Sequence, residues 1–312
     1  MRAFGFREAA EFWEAAGDPE LAFRLHALVG GAPEYKDLCG AGPLSLADFD
    51  HWVQLRLLNP ASVMFLSGGL TLGEEAATAD LASCACVLGA IAAGAARPSE
   101  IAAALGRPEG TVDDLLAALT GMGVIERLQD PLDTTRSGFV IVKPVARLHQ
   151  LVIAPYEAEL AAGQANRVWV LSQATVAERI YRPHFASVAR QWCLRHAAEE
   201  TVGGVARAAR PTAIACREHL QEHELEAIFV EEPVATGRVL AIGETNAASG
   251  PMGAGQLRRL DHLRALLPDE RVGQPPRLLL FSRSGFAAGL VAEADSRPDV
   301  SLVDLERLYR GV

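Results

Sequence analysis

Lysine is almost absent from this sequence. Lys36 and Lys143 are the only two lysines in 312 residues. A phosphate-binding loop of the GxxxxGK[ST] type needs a lysine that contacts the phosphates. Neither lysine lies in such a string, and the glycine-rich stretch SGGLTLGEE at 67–75 contains none. We therefore expect no ATP binding and no ATP hydrolysis by this chain alone.

Cysteine is also scarce, and no two cysteines form a CxxC pair. This spacing argues against a structural zinc site or a redox motif and favours small buried thiols in a reducing compartment. Cys84 and Cys86, two residues apart, would point to different faces of a helix. The five cysteines are Cys39, Cys84, Cys86, Cys193 and Cys216.

Long apolar runs and a signal peptide are missing as well. The stretch 81–96 is apolar but too short to span a bilayer. The first residues, MRAFGFREAAEFWEAA, carry acids where a signal peptide needs basic and then apolar residues. We expect a cytoplasmic protein with no membrane partner.

Positive charge is in deficit, with a formal net charge of −10. This balance argues against a large non-specific nucleic-acid surface. Half of the residues are apolar and 22% are charged, as in a globular protein. The length suits two or three small domains.

Residues 80–150 have the pattern helix, helix, turn, helix and β-hairpin, which predicts a winged helix-turn-helix. Its third helix offers Asp113 and Asp114 where a DNA reader needs Arg, Lys, Asn or Gln. Only Arg107 and Arg136 are placed to contact nucleic acid. We expect this module to dock a protein partner or a second copy of the chain, with at most weak nucleic-acid binding.

The last part of the chain predicts an α/β domain, because strand-like and helix-like stretches alternate. The predicted strands are LEAIFVEE, RVLAIGE, RLLLFS and VSLVDL, and the predicted helices between them are QLRRLDHLRALL and GFAAGLVAEAD.

Nearly the whole chain resembles the archaeal-type ATPase family. The most specific pieces are the GGxPxY turn at Gly30–Tyr35 and LLFSRSGF at Leu279–Phe286. In that family an AAA-like P-loop module precedes a helical lid, a winged helix and a domain similar to the PD-(D/E)xK nucleases. The resemblance implies a chain without the P-loop module, with fold class α plus α/β. Its domains would be a lid remnant at 1–79, a winged helix at 80–150, a helical linker at 151–180 and a restriction-endonuclease-like domain at 181–312.

The resemblance also implies a nuclease-like site. Its first acid would be Glu226, its second acid Glu244, and Asn246 would occupy the lysine position. The two carboxylates would hold Mg²⁺, and the lysine of an active site helps to orient and acidify the attacking water. Asn246 cannot supply that charge, and Ala186 stands where the family's preceding helix carries a Glu.

Three functions follow as alternatives. The first is a catalytically degenerate, nuclease-like protein that is not an ATPase and has a binding or regulatory role in a nucleic-acid-associated system. The second is a Mg²⁺-dependent nuclease that uses Glu226 and Glu244. The third is a remnant of a larger ATPase with no activity of its own.

Two weaker motifs have simpler interpretations. The string HLQEH at 219–223 matches a zinc-peptidase pattern that needs a helix, yet the sequence continues as a strand. Ser282 and Ser284 follow a strand without the GxSxG pattern of a nucleophile, and Arg283 between them is a candidate contact for phosphate or a partner.

Overall fold

A computed structural model describes residues 3–65, 81–216 and 221–311. The stretch SGGLTLGEE and His219 lie outside these residues. The chain divides into two compact units. The first comprises Met1–Leu128 and Gly138–Tyr181, and the second comprises Gln129–Ser137 and Arg182–Val312.

The first unit is mainly helical. At the start of its second helix the Asp18 carboxylate accepts hydrogen bonds from the backbone N–H groups of Glu20 and Leu21, both at 3.1 Å, and Pro19 is the first helical residue. The early helices are α1 (Phe6–Phe12), α2 (Pro19–Val29), α3 (Glu34–Cys39) and α4 (Leu46–Arg56).

Three helices and a hairpin follow in the predicted order, and all but the hairpin segment Gln129–Ser137 belongs to the first unit. Apolar residues of all five elements share one core. Gly106 ends the second of these helices in the left-handed conformation (φ 61°), which glycine adopts without a steric penalty. The elements are α5 (Leu81–Ala92), α6 (Pro98–Leu105), α7 (Glu109–Gly121), β1 (Ile125–Gln129) and β2 (Ser137–Ile141).

A further helical region closes the first unit. It contains the α-helices α8 (Pro144–Leu148), α9 (Glu157–Ala161) and α10 (Ala165–Thr175), with π-helical segments at His149–Ile153 and Val176–Tyr181. No helix within the described ranges is both long and apolar enough to cross a membrane.

The second unit is built on a five-stranded mixed sheet in the order β3-β4-β5-β6-β7. The first three strands pair antiparallel, and the last two add in parallel. The strands are β3 (Ala208–Cys216), β4 (Gln221–Val230), β5 (Val239–Asn246), β6 (Arg277–Ser282) and β7 (Val300–Asp304). The helices are α11 (Arg182–Arg195), α12 (Glu199–Val202), α13 (Ala254–Ala265), α14 (Ala288–Asp295) and α15 (Leu305–Arg310).

Both faces of this sheet are covered, as the apolar run of β6 requires. On one face Leu257, Leu260 and Leu263 of α13 belong to the same core as Ile242 and Leu280 of the sheet. On the other face Trp192 of α11 contacts Phe281 edge-on, with ring centroids 6.3 Å apart.

The segment Gln129–Ser137 packs within the second unit. The hydroxyl of Thr212 donates a 2.6 Å hydrogen bond to the Asp130 carboxylate. The buried guanidinium of Arg271 donates to the backbone carbonyls of Pro131 at 2.8 Å and Gly237 at 2.7 Å. A buried cation satisfied by carbonyl oxygens fixes the conformation of these loops.

Candidate functional site

The structure brings Glu226 and Glu244 to adjacent strands. Glu226 lies on β4 and Glu244 lies on β5. These strands pair antiparallel up to Ala227 opposite Gly243, so each acid is the next residue beyond that pair. The sequence-predicted acids are therefore close along the sheet.

The Glu226 carboxylate is held by the neighbouring strand and by α11. It accepts hydrogen bonds from the backbone N–H of Thr245 at 3.0 Å and from the Thr245 hydroxyl. Its other oxygen lies 3.5 Å from the Arg182 guanidinium. Arg190 of α11 donates to the backbone carbonyl of Glu226 at 3.0 Å. The carboxylate thus replaces a backbone partner for β5 where the ladder ends.

The Glu244 carboxylate is held by α13 instead. Arg259 donates a 2.6 Å hydrogen bond to it and also bonds the backbone carbonyl of Glu224 at 2.5 Å. Burial raises the pKa of Glu244 above its usual value. The positive charge of Arg259 lowers this pKa and the negative charge of Glu226 raises it, and burial dominates.

The two carboxylates have different hydrogen-bond donors. Thr245 donates to Glu226, and Arg259 donates to Glu244. The two acids also influence each other electrostatically, and the positive charge of Arg182 acts on both.

The Asn246 side chain closes a turn after β5. Its amide nitrogen donates to the Gly250 carbonyl at 3.0 Å, and its oxygen accepts from the Ala248 backbone N–H at 3.0 Å. These are the bonds of a loop-forming Asn. The residue at the expected lysine position therefore supports the loop and carries no positive charge.

Two further predicted positions flank this region. Ala186 on α11 is only 7% exposed, so the position at which the resemblance implies a Glu holds a buried methyl group. Arg283 follows β6, and its guanidinium lies 3.5 Å from the Ala247 carbonyl. Ser284 donates to the Ala248 carbonyl at 2.8 Å, which makes it part of the same turn region.

The predicted nucleic-acid contacts form bonds within the protein. Arg107 donates a 2.8 Å hydrogen bond to the Ser83 hydroxyl in the first unit. Arg136 forms a 2.6 Å ion pair with Glu222 and a 2.9 Å pair with Asp133 in the second unit. Each guanidinium would have to give up or share these partners to bind phosphate.

The structure also groups three residues that the sequence did not connect. Cys216, His223 and His262 place their ligand atoms within 4.8 Å of one another. Glu222 and His223 lie on a strand, so the described part of HLQEH lacks the helix that a zinc peptidase needs. The residue types were visible, but the partnership depends on a contact between α13 and the β3–β4 pair.

No family model and no curated protein matches the sequence. The crystal structure of protein VC1899 from Vibrio cholerae aligns with 15% sequence identity and a TM-score of 0.27. The alignment covers 80% of this chain and 54% of that chain, so this chain spans about half the length of the matched protein.

Proposed function

We propose that the second unit is a nuclease-like domain that has lost its metal-dependent chemistry. The protein would then have a binding or regulatory role in a nucleic-acid-associated system and would not cleave nucleic acid. The observation that carries the proposal is the 2.6 Å ion pair between Arg259 and Glu244. Mg²⁺ binds through carboxylate oxygens and needs their negative charge. Arg259 already neutralises this carboxylate from inside the fold.

The surroundings support the same conclusion. Glu226 is bonded to Thr245 and lies near Arg182, so both candidate acids have a cationic neighbour. Asn246 supplies no charge to acidify a water molecule. Carboxylates that are each neutralised by an arginine favour a binding role over catalysis.

The alternative of an active Mg²⁺-dependent nuclease rests on one feature. Glu226 and Glu244 directly adjoin the paired residues Ala227 and Gly243 on adjacent antiparallel strands, and the negative charge of Glu226 raises the pKa of Glu244. Two carboxylates that repel each other attract a divalent cation. For activity, the cation would have to displace the guanidinium of Arg259.

A cleavage and binding experiment separates these functions. The full chain is incubated with single- and double-stranded DNA and RNA in Mg²⁺ or Mn²⁺, beside the variants Glu226→Gln and Glu244→Gln. We expect no cleavage, and binding that the two variants leave within about twofold. Metal-dependent cleavage lost in Glu244→Gln would establish the nuclease instead. Failure to bind any nucleic acid at low salt would exclude a direct nucleic-acid role.

We propose a docking role for the first unit's helices α5, α6 and α7 and the hairpin β1–β2, as a winged helix that contacts protein. Asp113 and Asp114 of α7 are exposed, and acids near the start of a reading helix repel phosphates. Size-exclusion chromatography with light scattering tests the simplest partner, a second copy. If α7 mediates self-association, the double variant Asp113→Lys, Asp114→Lys should change the fraction of dimer. An unchanged dimer fraction would exclude α7 from the interface.

A further inference from the structure

We propose that Cys216, His223 and His262 form a zinc site with three protein ligands and one open coordination position. Cys216 ends β3, His223 lies near the start of β4, and His262 lies on α13. The site would join the edge of the sheet to the helix that covers it. It is independent of the carboxylate site and of the function proposed above.

Strand register places the first two ligands on one face. Ile214 pairs with His223, and Cys216 pairs with Gln221. Cys216 is two residues from Ile214, so both side chains project from the same side of the sheet. Ile214 belongs to the core that α13 covers, and the Cys216 and His223 side chains therefore face α13.

Helix α13, which covers this face of the sheet, supplies the third ligand, His262. The Cys216 Sγ lies 3.8 Å from the His262 Nε2. The rings of His223 and His262 meet edge-on, with centroids 5.7 Å apart and an interplanar angle of 86°. One sulfur and two imidazole nitrogens thus converge from three separate elements.

The separations are close to those of a bound ion. Tetrahedral zinc with Zn–S near 2.3 Å and Zn–N near 2.0–2.1 Å holds its ligand atoms roughly 3.3–3.6 Å apart. The three atoms lie within 4.8 Å of one another. Small changes in side-chain torsions would bring all three ligand atoms within bonding distance of one zinc ion without moving the strands.

The chemistry of the donors selects the metal. One thiolate and two imidazoles suit Zn²⁺, whereas Mg²⁺ and Ca²⁺ require oxygen ligands. On binding, the Cys216 thiol releases its proton to solvent as the S–Zn bond forms, so zinc uptake releases protons. Three protein ligands leave a fourth position for water or an added ligand.

The surroundings are those of a protected but reachable site. Cys216 is 2% exposed, and the His223 Nε2 is buried, while the His223 and His262 residues as a whole are partly exposed. Arg259, one turn before His262 on α13, bonds the backbone carbonyl of Glu224 at 2.5 Å. This bond fixes the helix against β4 at the residue that follows His223.

The test measures metal binding by the full-length protein and needs no enzymatic activity. Chelator-treated protein is titrated with ZnCl₂ against a chromophoric competitor, and with CoCl₂ while the absorption spectrum is recorded. We expect one zinc per chain, a rise in Tm on zinc addition, and a thiolate-to-cobalt charge-transfer band with the strong visible bands of tetrahedral Co²⁺.

Variants assign the ligands. Cys216→Ser and His262→Asn should each weaken zinc binding at least about tenfold, since loss of an outer partner alone costs about 10–100-fold. Cys216→Ser should also remove the charge-transfer band. Cys86→Ser, which changes an exposed cysteine, and His51→Asn, which changes an exposed histidine, should bind zinc as the wild type does.

Two results would overturn the proposal. One is wild-type protein that shows neither a zinc-dependent Tm shift nor a charge-transfer band. The other is zinc binding that persists unchanged in folded Cys216→Ser and His262→Asn. Circular dichroism of each variant establishes folding, and the wild-type titration gives a result even where a variant fails to fold.

Discussion

Arg259 on α13 donates a 2.6 Å hydrogen bond to the carboxylate of Glu244 on β5. The Glu244 side chain is 17% exposed and that of Arg259 is 37% exposed, so the pair lies mostly out of solvent. It links the helix that covers the sheet to the acid that a nuclease-like site would use.

Arg259→Ala should destabilise the protein by about 1–3 kcal/mol, because it leaves a poorly solvated carboxylate without its cation. The pKa of Glu244, already raised by burial, should move further up. Urea unfolding gives the free energy, and NMR titration of the Glu side chain gives the pKa. Arg258→Ala on the same helix is the matched control, since Arg258 is exposed. Equal stability of the two variants would show that the ion pair contributes nothing.

A second charged network predicts a pH dependence. Arg297 bonds Asp261 at 2.6 Å and Asp299 at 2.8 Å, and Arg264 bonds Asp299 at 2.6 Å. Hydrogen bonds from Arg297 hold the pKa of both Asp261 and Asp299 below the usual range. A lowered carboxyl pKa stabilises the folded state at pH values above the unfolded pKa, and the benefit is lost as pH falls through the folded pKa.

Arg297→Ala should therefore cost roughly 1–2 kcal/mol at pH 7, a figure that allows for solvent screening of partly exposed groups. The difference from wild type should shrink below about pH 4, where unfolded Asp is protonated. Urea unfolding across pH 2.5 to about 7 measures this. Arg310→Ala removes an exposed pair with Glu306 and should change stability by less than about 0.5 kcal/mol. A pH-independent loss in Arg297→Ala would contradict the network.

Sequence patterns locate most of the sheet but miss its first strand. The four predicted strands overlap β4, β5, β6 and β7, because their apolar runs are dense. The residues of β3, AARPTAIAC, contain Pro211, which argues against a central strand. The fold tolerates Pro211 because β3 is the edge strand, and the register shifts between Arg210 and Thr212.

Side-chain partners are harder to predict than strands. Spacing alone places Glu244 and Asn246 on one face of a strand, and the resemblance to the archaeal-type ATPases adds Glu226 on another strand. It cannot reveal that Arg259 reaches Glu244, or that Cys216 and His262 meet, because each contact depends on how α13 packs on the sheet. These long-range contacts decide whether a carboxylate holds a metal or an arginine.

DNA binding by α5–α7 should be weak and should largely vanish by about 0.2 M salt, since few phosphate contacts are available. Arg107 is bonded to Ser83, and α7 exposes Asp113 and Asp114. Fluorescence anisotropy with labelled duplexes at about 0.05 and 0.2 M salt measures the affinity. Replacing both aspartates by asparagine should strengthen binding at the lower salt. Sequence-specific binding by wild type that persists at the higher salt would identify a DNA reader instead of a docking module.

Asn246→Lys should restore trace Mg²⁺-dependent cleavage, because it places a cation two residues from Glu244 on the same face of β5. The change also removes the hydrogen bonds to Ala248 and Gly250, at a cost of about 1–2 kcal/mol. Adding Ala186→Glu rebuilds the missing acid, and we expect more cleavage from the double variant wherever it folds, since position 186 is buried.

The control for this gain of function is Asn246→Lys combined with Glu244→Gln, which keeps the new cation but removes the acid that would hold Mg²⁺. Cleavage of a labelled single strand is followed with Mg²⁺ and with EDTA, and unfolding midpoints establish that each variant is folded at the assay temperature. Cleavage should disappear in the control, because the cation alone cannot bind the metal. Equal cleavage with and without Glu244 would assign the activity to another site. If folded Asn246→Lys and folded Asn246→Lys, Ala186→Glu both fail to cleave, the prediction is wrong and the two changes do not complete a nuclease site.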